Sequence, residues 1–183
     1  MSKIRIKGDT SGHVDLETSA TGSNLSVIGN ALKVDSINEK TTGNGVYIPG
    51  HVVQCQQFYN SQTAHVTTTS TSFVGSAIAK SITPKYSNSL IIIQSNISMA
   101  YATNYMEARM YLNGSAMPST GNYHVGYIDH GYNVYSTLTF AGQYQASSTS
   151  ALNFEIYYKA GAGTAYITHT NASAALTLWE IKQ

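Results

Sequence analysis

The stretch Leu152-Asn153-Phe154-Glu155-Ile156-Tyr157-Tyr158 alternates large apolar side chains with a second set that is mostly polar. A period of two residues is that of a half-buried β-strand, because successive side chains of a strand point to opposite faces of the sheet. The stretch from Leu176 to Ile181 alternates in the same way, although both of its faces are partly apolar. The sequence therefore predicts a sheet that buries one face in a core.

Eight segments after residue 50 have the composition of strands and are separated by turn residues. Strands of this number and spacing predict an antiparallel β-sandwich, similar to a jelly roll, within an all-β protein. Between them, Ser119 to Gly131 is predicted to be a long loop and Ala160 to Gly163 a tight hairpin-like turn. The predicted strands are His51 to Tyr59, Thr71 to Lys80, Leu90 to Tyr101, Tyr105 to Asn113, Tyr132 to Gln145, Ala151 to Lys159, Thr164 to Thr170 and Ala175 to Lys182.

The composition limits the classes of partner. Only 10% of the 183 residues are charged and the formal net charge is +1, so the chain lacks the basic surface that nucleic acids or anionic membranes require. No stretch approaches the roughly 20 apolar residues that span a bilayer, and the first residues lack the apolar segment of a signal peptide. We therefore expect synthesis in the cytoplasm. The single cysteine, Cys55, is predicted to be a small buried side chain.

Ten of the nineteen charged residues lie in the first 50 positions, which predicts a domain boundary near Pro49-Gly50. Residues 1–50 would form an N-terminal hairpin and shaft, and residues 51–183 a sandwich head. Apolar residues alternate with polar ones on both sides of the turn Asp9 to Gly12, as in a hairpin with one apolar face. The residues of that face, predicted to anchor the chain, are Ile4, Ile6, Val14 and Leu16.

The rest of the first segment consists of short apolar pairs separated by turn residues. Strands this short bury too little apolar area to offset the conformational entropy of ordering them, so we expect neighbouring copies of the chain to supply the missing contacts. This predicts a homo-oligomer. The residues predicted to pack between the copies are Leu25, Val27, Ile37, Val46 and Ile48.

The sequence contains no motif of catalysis or cofactor binding. There is no GxSxG turn and no phosphate-binding glycine loop, and the predicted head contains only four carboxylates, of which Glu107 is expected to pair with Arg109 on the same strand face. We therefore predict no enzymatic activity, no catalytic residues and no cofactor.

No metal site is predicted either. His124 and His130 bracket Asp129, but their spacing matches no common metal motif, and hydrogen-bonded or exposed histidines are the plainer interpretation. One alternative stays open: a residue such as His51 becomes three residues on a three-fold axis, where it could hold an ion.

A tyrosine-rich stretch lies in the predicted loop and at the start of the strand after it. Tyrosine combines a rigid ring with a hydroxyl, which suits a surface that binds sugars or proteins. The alternative is that these rings cover the edge of the core. The residues predicted to face a receptor are Tyr123, Tyr127, His130 and Tyr132.

Two segments resemble proteins of tailed bacteriophages, including those of cyanobacteria. The segment KIRIKGDTSGHVDL, Lys3 to Leu16, resembles the opening of tail-fibre and capsid-associated proteins, and INEKTTGNGVYI, Ile37 to Ile48, is similar to the repeating shaft element of such fibres. The resemblance implies a homotrimer with an interlocked β-shaft and sandwich heads, attached to the virion by the N-terminal hairpin. It implies a packing role for Ile4, Ile6, Val14, Leu16, Ile37, Val46 and Ile48.

Three functions follow as hypotheses. The first is a trimeric capsid decoration (cement or head-fibre) protein on the virion surface, whose partners are its own copies and the major capsid protein. The second is a short tail fibre, whose partners are tail proteins and a host surface polysaccharide. The third is a lectin or a carbohydrate-acting enzyme.

Overall fold

The computed structural model describes residues 50–61, 66–101, 105–117, 124–129, 134–168 and 173–183, all within the compact unit Asn38–Gln183. The described residues form strands, bends and turns, and they include no helix that could cross a membrane. The predicted anchoring residues and shaft residues all precede residue 50. They lie outside the described residues, as do Tyr123, His130 and Tyr132, and their roles stay predictions.

Eleven antiparallel strands form the described fold. They are β1 (Val52–Ser61), β2 (Val66–Thr68), β3 (Val74–Ile82), β4 (Leu90–Tyr101), β5 (Tyr105–Leu112), β6 (Ser115–Ala116), β7 (His124–Asp129), β8 (Val134–Gln145), β9 (Leu152–Ala160), β10 (Ala165–Ile167) and β11 (Ser173–Ile181).

The eight longer strands pair in a nested order. Strand β1 pairs with β11, β3 with β9, β4 with β8, and β5 with β7, as in one long hairpin that has been wrapped around a core. One sheet of six strands contains β1, β11, β4 and β8 together with the short strands β10 and β2. The other sheet of five strands contains β3, β9, β5, β6 and β7. This nested antiparallel arrangement in two sheets is that of a jelly roll, and it confirms the predicted β-sandwich.

The core lies between the two sheets and is built from alternate residues of their strands. In β9 every second residue from Leu152 to Ala160 is buried, as the alternation predicted. In β11, Leu176 and Leu178 are fully buried on the same face as Glu180. The largest fully buried side chains are Tyr158, Phe154, Ile78, Ile82, Ile91, Ile93, Ile97, Met99, Met106, Met110 and Ile156.

All eight predicted strands are present, but two predicted connections are wrong. The predicted long loop Ser119 to Gly131 contains β7, which pairs with β5 across a bulge at Ala108 and Arg109. The predicted hairpin-like turn Ala160 to Gly163 leads from β9 in the five-stranded sheet to β10 in the six-stranded sheet, so it crosses between the sheets. The short strands β2 and β6 were not predicted.

Strand β4 explains why the run from Leu90 to Ile93 is apolar on both faces. It lies between β11 and β8 in the middle of the six-stranded sheet. Ile91 and Ile93 point into the core and are fully buried, whereas Ile92 lies on the outer face and is half-buried. One face of the run is therefore covered by the domain itself.

Candidate functional site

The outer face of the five-stranded sheet carries a group of charged and aromatic side chains that contact one another. The cross-strand pairs Glu107–Lys159 and Arg109–Tyr157 lie there, between β5 and β9, and Glu107 is also paired with Tyr127 of β7. We call this group the aromatic cluster. It consists of Phe73, Tyr105, Tyr111, Tyr127 and Tyr157 around Glu107, Arg109 and Lys159.

The carboxylate of Glu107 is at the centre of the aromatic cluster and is only 6% exposed. One of its oxygens accepts a 2.6 Å hydrogen bond from Nε of Arg109 and forms an ion pair with Nη2 of the same side chain at 2.6 Å, and the other lies 3.0 Å from Nζ of Lys159. Such charge-assisted contacts offset the cost of removing the carboxylate from water. The predicted ion pair with Arg109 is confirmed, and Lys159 is a second partner that the sequence did not indicate.

Aromatic rings cover these charges. The ring of Phe73 has the Arg109 guanidinium carbon and the Lys159 ammonium nitrogen each 4.8 Å from its centroid, which is the distance of a cation–π contact. On one side of the charges Tyr111 and Tyr157 stack with centroids 3.9 Å apart, and on the other Tyr105 and Tyr127 stack at 5.4 Å. The rings therefore form a second small packed layer outside the sandwich.

The ionised form of Glu107 stabilises the folded protein. Burial disfavours the charged carboxylate, but hydrogen bonds and charges from Lys159 and Arg109 outweigh it, and the pKa of Glu107 lies below its ordinary value of 4.5. A pKa that is lowered by folding stabilises the fold above the unfolded value, and that contribution is lost as the pH falls through the folded pKa.

We expect Glu107→Gln to lower the free energy of unfolding at pH 7 and to lower it less in acid, because the contribution of the lowered pKa of the carboxyl is lost as the pH falls from the unfolded value through the folded one. Urea unfolding of both proteins at pH 7 and pH 3 measures the difference. A destabilisation that is equal at the two pH values would show that the charge of Glu107 is not what stabilises the cluster.

Of the four residues predicted to face a receptor, the structure describes only Tyr127. It is 53% exposed and stacks on Tyr105, so it forms the accessible end of the aromatic cluster. Sequence reasoning did not single out Phe73, Tyr105, Tyr111, Tyr157 or Lys159 for this site. Those on β5 and β9 come together through the pairing of these two strands, and Phe73 reaches them from the chain before β3, so no local signal in the sequence gives the arrangement.

Gly161 is in contact with Tyr105 of the aromatic cluster. A Cβ atom at this position would lie 2.5 Å from two carbons of the Tyr105 ring, and the Gly161 amide donates a 2.7 Å hydrogen bond to the Tyr105 carbonyl oxygen. The ring of Tyr105 therefore packs directly on the glycine backbone.

We expect Gly161→Val to displace the Tyr105 ring and to destabilise the protein by about 1–3 kcal/mol, as other overpacking substitutions do. The matched control is Ala162→Val at the exposed neighbouring position, which should change stability by less than about 0.5 kcal/mol. Equilibrium urea unfolding of both variants provides the comparison. Equal stability of the two would show that Tyr105 does not depend on the glycine.

A second buried carboxylate, that of Glu180, belongs to the six-stranded sheet. Glu180 of β11 is fully buried and accepts hydrogen bonds at 2.6–3.2 Å from the backbone amides of Lys85 and Tyr86 and from the Ser89 hydroxyl. Its other oxygen also accepts a 2.7 Å bond from Nε2 of Gln54. Glu180 therefore fixes the connection between β3 and β4 to the end of the sandwich.

The outer face of the six-stranded sheet has the opposite character. Side chains of β1, β11, β4 and β8 form three rows of four across it, and none of the twelve is charged. We call it the uncharged face. Its rows are Cys55, Trp179, Ile92 and Gln143; Gln57, Thr177, Gln94 and Ala141; and Tyr59, Ala175, Asn96 and Thr139.

Cys55 belongs to this face, which corrects the prediction that it is buried. It is exposed, because the inward positions of β1 are the even-numbered ones, including Gln54, which reaches Glu180, and Phe58, which packs on the core. Together with Trp179 and neighbouring amide and hydroxyl side chains, Cys55 lines a shallow depression of about 360 Å³. The residues described by the structure contain no group of three or more histidine, cysteine or carboxylate side chains placed to hold a metal ion.

The comparisons with known proteins identify no family. No family model matches the chain, and none of the curated proteins matches it. Among solved structures, dimeric latent PorU from Porphyromonas gingivalis is similar over 78% of this chain, with 10% sequence identity and a TM-score of 0.36. The chain corresponds to 14% of that protein's length.

Proposed function

We propose that the chain is a structural protein of a bacteriophage particle, specifically a homotrimeric decoration protein that sits on the capsid surface and stabilises it. The resemblance of Lys3–Leu16 and Ile37–Ile48 to phage fibre and capsid-associated proteins supports the virion role. In this proposal the N-terminal hairpin attaches the chain to the major capsid protein, an interlocked shaft joins three copies, and the sandwich forms the head.

One observation of the head supports this proposal above others: its buried carboxylates are used to hold the fold together. Glu107 of β5 pairs with Arg109 on its own strand and joins β5 to β9 through Lys159, and Glu180 holds the connection between β3 and β4. Catalytic carboxylates need access to a substrate and freedom to exchange protons. Carboxylates that are saturated by such contacts favour a rigid scaffold, which is what a decoration protein requires.

The second candidate is a short tail fibre that recognises a host surface polysaccharide. The aromatic cluster favours it, because the exposed Tyr127 ring beside Tyr105, with Arg109 and Lys159 nearby, offers stacking surfaces and hydrogen-bond donors of the kind that sugars use. The two candidates share the fold and the trimer and differ in where the protein sits on the particle.

The proposal is tested by quantitative mass spectrometry of purified phage particles that encode the chain, washed at high salt, together with an assay of the purified protein on host-envelope glycans. Decoration predicts that the chain remains with the particles and that the glycans are neither cleaved nor bound, whereas a chain that remains with the particles and binds the glycans would support the tail fibre. Recovery only in the soluble lysate, or cleavage of the glycans, would instead support the lectin or enzyme hypothesis.

A further inference from the structure

Charge is divided unequally between the two sheets. The strands of the six-stranded sheet contain one charged residue, Glu180, and its side chain is buried on the core side. The strands of the five-stranded sheet contain six: Lys80, Glu107, Arg109, Asp129, Glu155 and Lys159. Surfaces that stay in water are normally rich in charge, and the cores of interfaces are depleted of it. The uncharged face therefore has the composition of a surface that is covered.

The edges of the same sheet point to the same conclusion. Among the described strands, β1 and β8 are the outermost long strands of the row β1, β11, β4 and β8, and neither contains a proline or a charged residue. Soluble proteins usually protect long edge strands with such residues, because unprotected edges associate. Strand β1 also exposes Val52 and Tyr59 to 51% and 65%.

The size of the uncharged face suits a protein partner. Four strands about 4.8 Å apart, each contributing about ten residues at about 3.3 Å per residue, span roughly 600 Å². Specific interfaces bury roughly 600–1,000 Å² on each partner. A small ligand would occupy only the depression, which is lined by residues of β1, β11 and β4, and it would leave the β8 side of the uncharged face uncovered.

A second copy of this chain is the partner that this chemistry fits best. Around a symmetry axis the equivalent side chains of each copy approach one another, so a charge near the axis would meet its own equivalents and repel them. A face of amides, hydroxyls, Trp179 and Ile92 has no such penalty, and its amides can donate to and accept from their own equivalents.

We propose that copies of this chain associate through the uncharged face of the six-stranded sheet, which leaves the aromatic cluster on the outer side of the assembly. The inference deepens the oligomeric part of the proposed function by assigning its surface to the head, and it does not depend on the virion role. Cys55 is then covered by the neighbouring copy, although it is exposed in a single chain.

The test introduces one charge into this face in the 183-residue chain. Asn96→Lys adds a lysine at an exposed position of β4, and the matched control Ser81→Lys adds one at an exposed position of β3 in the other sheet. Because an unpaired charge in an interface is costly, we expect Asn96→Lys to weaken association at least about a hundredfold, whereas Ser81→Lys leaves it unchanged. Light scattering after size-exclusion chromatography measures the mass, and circular dichroism checks that both variants are folded.

Cys55, the single cysteine, reports on the same surface without a further substitution. In the wild-type oligomer we expect a maleimide to label it at least about tenfold more slowly than in Asn96→Lys, because labelling must wait for the interface to open. Oligomers of Asn96→Lys with Cys55 still protected would overturn the proposal, as would a wild-type protein whose Cys55 reacts like a free thiol. A wild-type monomer with protected Cys55 would also overturn it, by showing that part of the same chain covers the face. If Asn96→Lys separates the copies but the chain is missing from phage particles, this inference stands and the proposed function fails.

Discussion

Replacing Glu180 with glutamine is expected to destabilise the head by about 2–4 kcal/mol, a large part of the 5–15 kcal/mol that stabilises a typical domain. Both carboxylate oxygens face hydrogen-bond donors. One oxygen accepts from the amides of Lys85 and Tyr86 and from the Ser89 hydroxyl, and the other accepts from Gln54 and from Lys85. An amide has only one oxygen, so in either orientation its NH₂ group must face a donor.

Gln54 cannot easily relieve this conflict by turning its own amide around. Its Nε2 also donates a 2.7 Å hydrogen bond to the carbonyl oxygen of Thr83, and that bond would be lost. The substitution therefore leaves buried donors without acceptors at the end of the sandwich, which is among the costliest changes that a folded protein can undergo.

The matched control is Glu155→Gln. Glu155 lies half-buried on the outer face of the other sheet and accepts one long bond of 3.4 Å from the Ala77 amide, so its replacement should cost less than about 0.5 kcal/mol. Guanidinium unfolding of the two variants and the wild type gives the comparison. If Glu180→Gln is as stable as Glu155→Gln, the Glu180 network does not hold the β3–β4 connection.

The second large effect concerns attachment to the particle. In the proposed function, Ile4 and Ile6 lie on the apolar face of the anchoring hairpin. Replacing both with aspartate should abolish incorporation into particles while the head keeps its fold, because the substitutions would place two charges in an apolar contact. Mass spectrometry of particles assembled with the variant measures incorporation, and thermal unfolding of the purified variant checks the head.

A control for the aspartates is a variant that carries the same added charge elsewhere in the N-terminal segment. Thr18→Asp with Ser19→Asp places two carboxylates in the polar stretch that follows the predicted hairpin, and it should be incorporated as well as the wild type. Particles that contain the Ile4 and Ile6 variant at the wild-type level would show that the hairpin is not the anchor.

The strands of the sandwich could be predicted because their alternation is local information. In β9 the order of side chains is also the order of burial, from Leu152 to Ala160. Strand β7 could not be predicted in this way. Its six residues contain a glycine and an irregular pattern, and the strand exists because it pairs with β5 across a bulge.

Cys55 shows how the same reasoning fails on a strand whose inner face is polar. The inward positions of β1 include Gln54 and Gln56, and hydrophobicity alone assigns glutamines to water and a cysteine to the core. The structure reverses this assignment because Gln54 binds a buried carboxylate that lies 126 positions away along the chain. A local sequence pattern cannot indicate a contact between residues so far apart along the chain.

The candidate site was partly predictable for the same physical reason. Glu107 and Arg109 are two residues apart on one strand, so the sequence alone places them on the same face. Lys159 and Phe73 reach them only once β9 is paired with β5 in one particular register and the chain before β3 crosses the sheet. The ion pair was therefore foreseen and the aromatic layer around it was not.

Electron cryomicroscopy of intact particles of the phage that encodes the chain, combined with a count of its copies per particle, distinguishes decoration from the other roles. Decoration predicts many trimers distributed over the capsid shell, each with three-fold symmetric density in which the six-stranded sheets of the three chains face one another. A few copies at the tail would contradict decoration in favour of the receptor-binding fibre. Particles without the protein would contradict the virion role altogether.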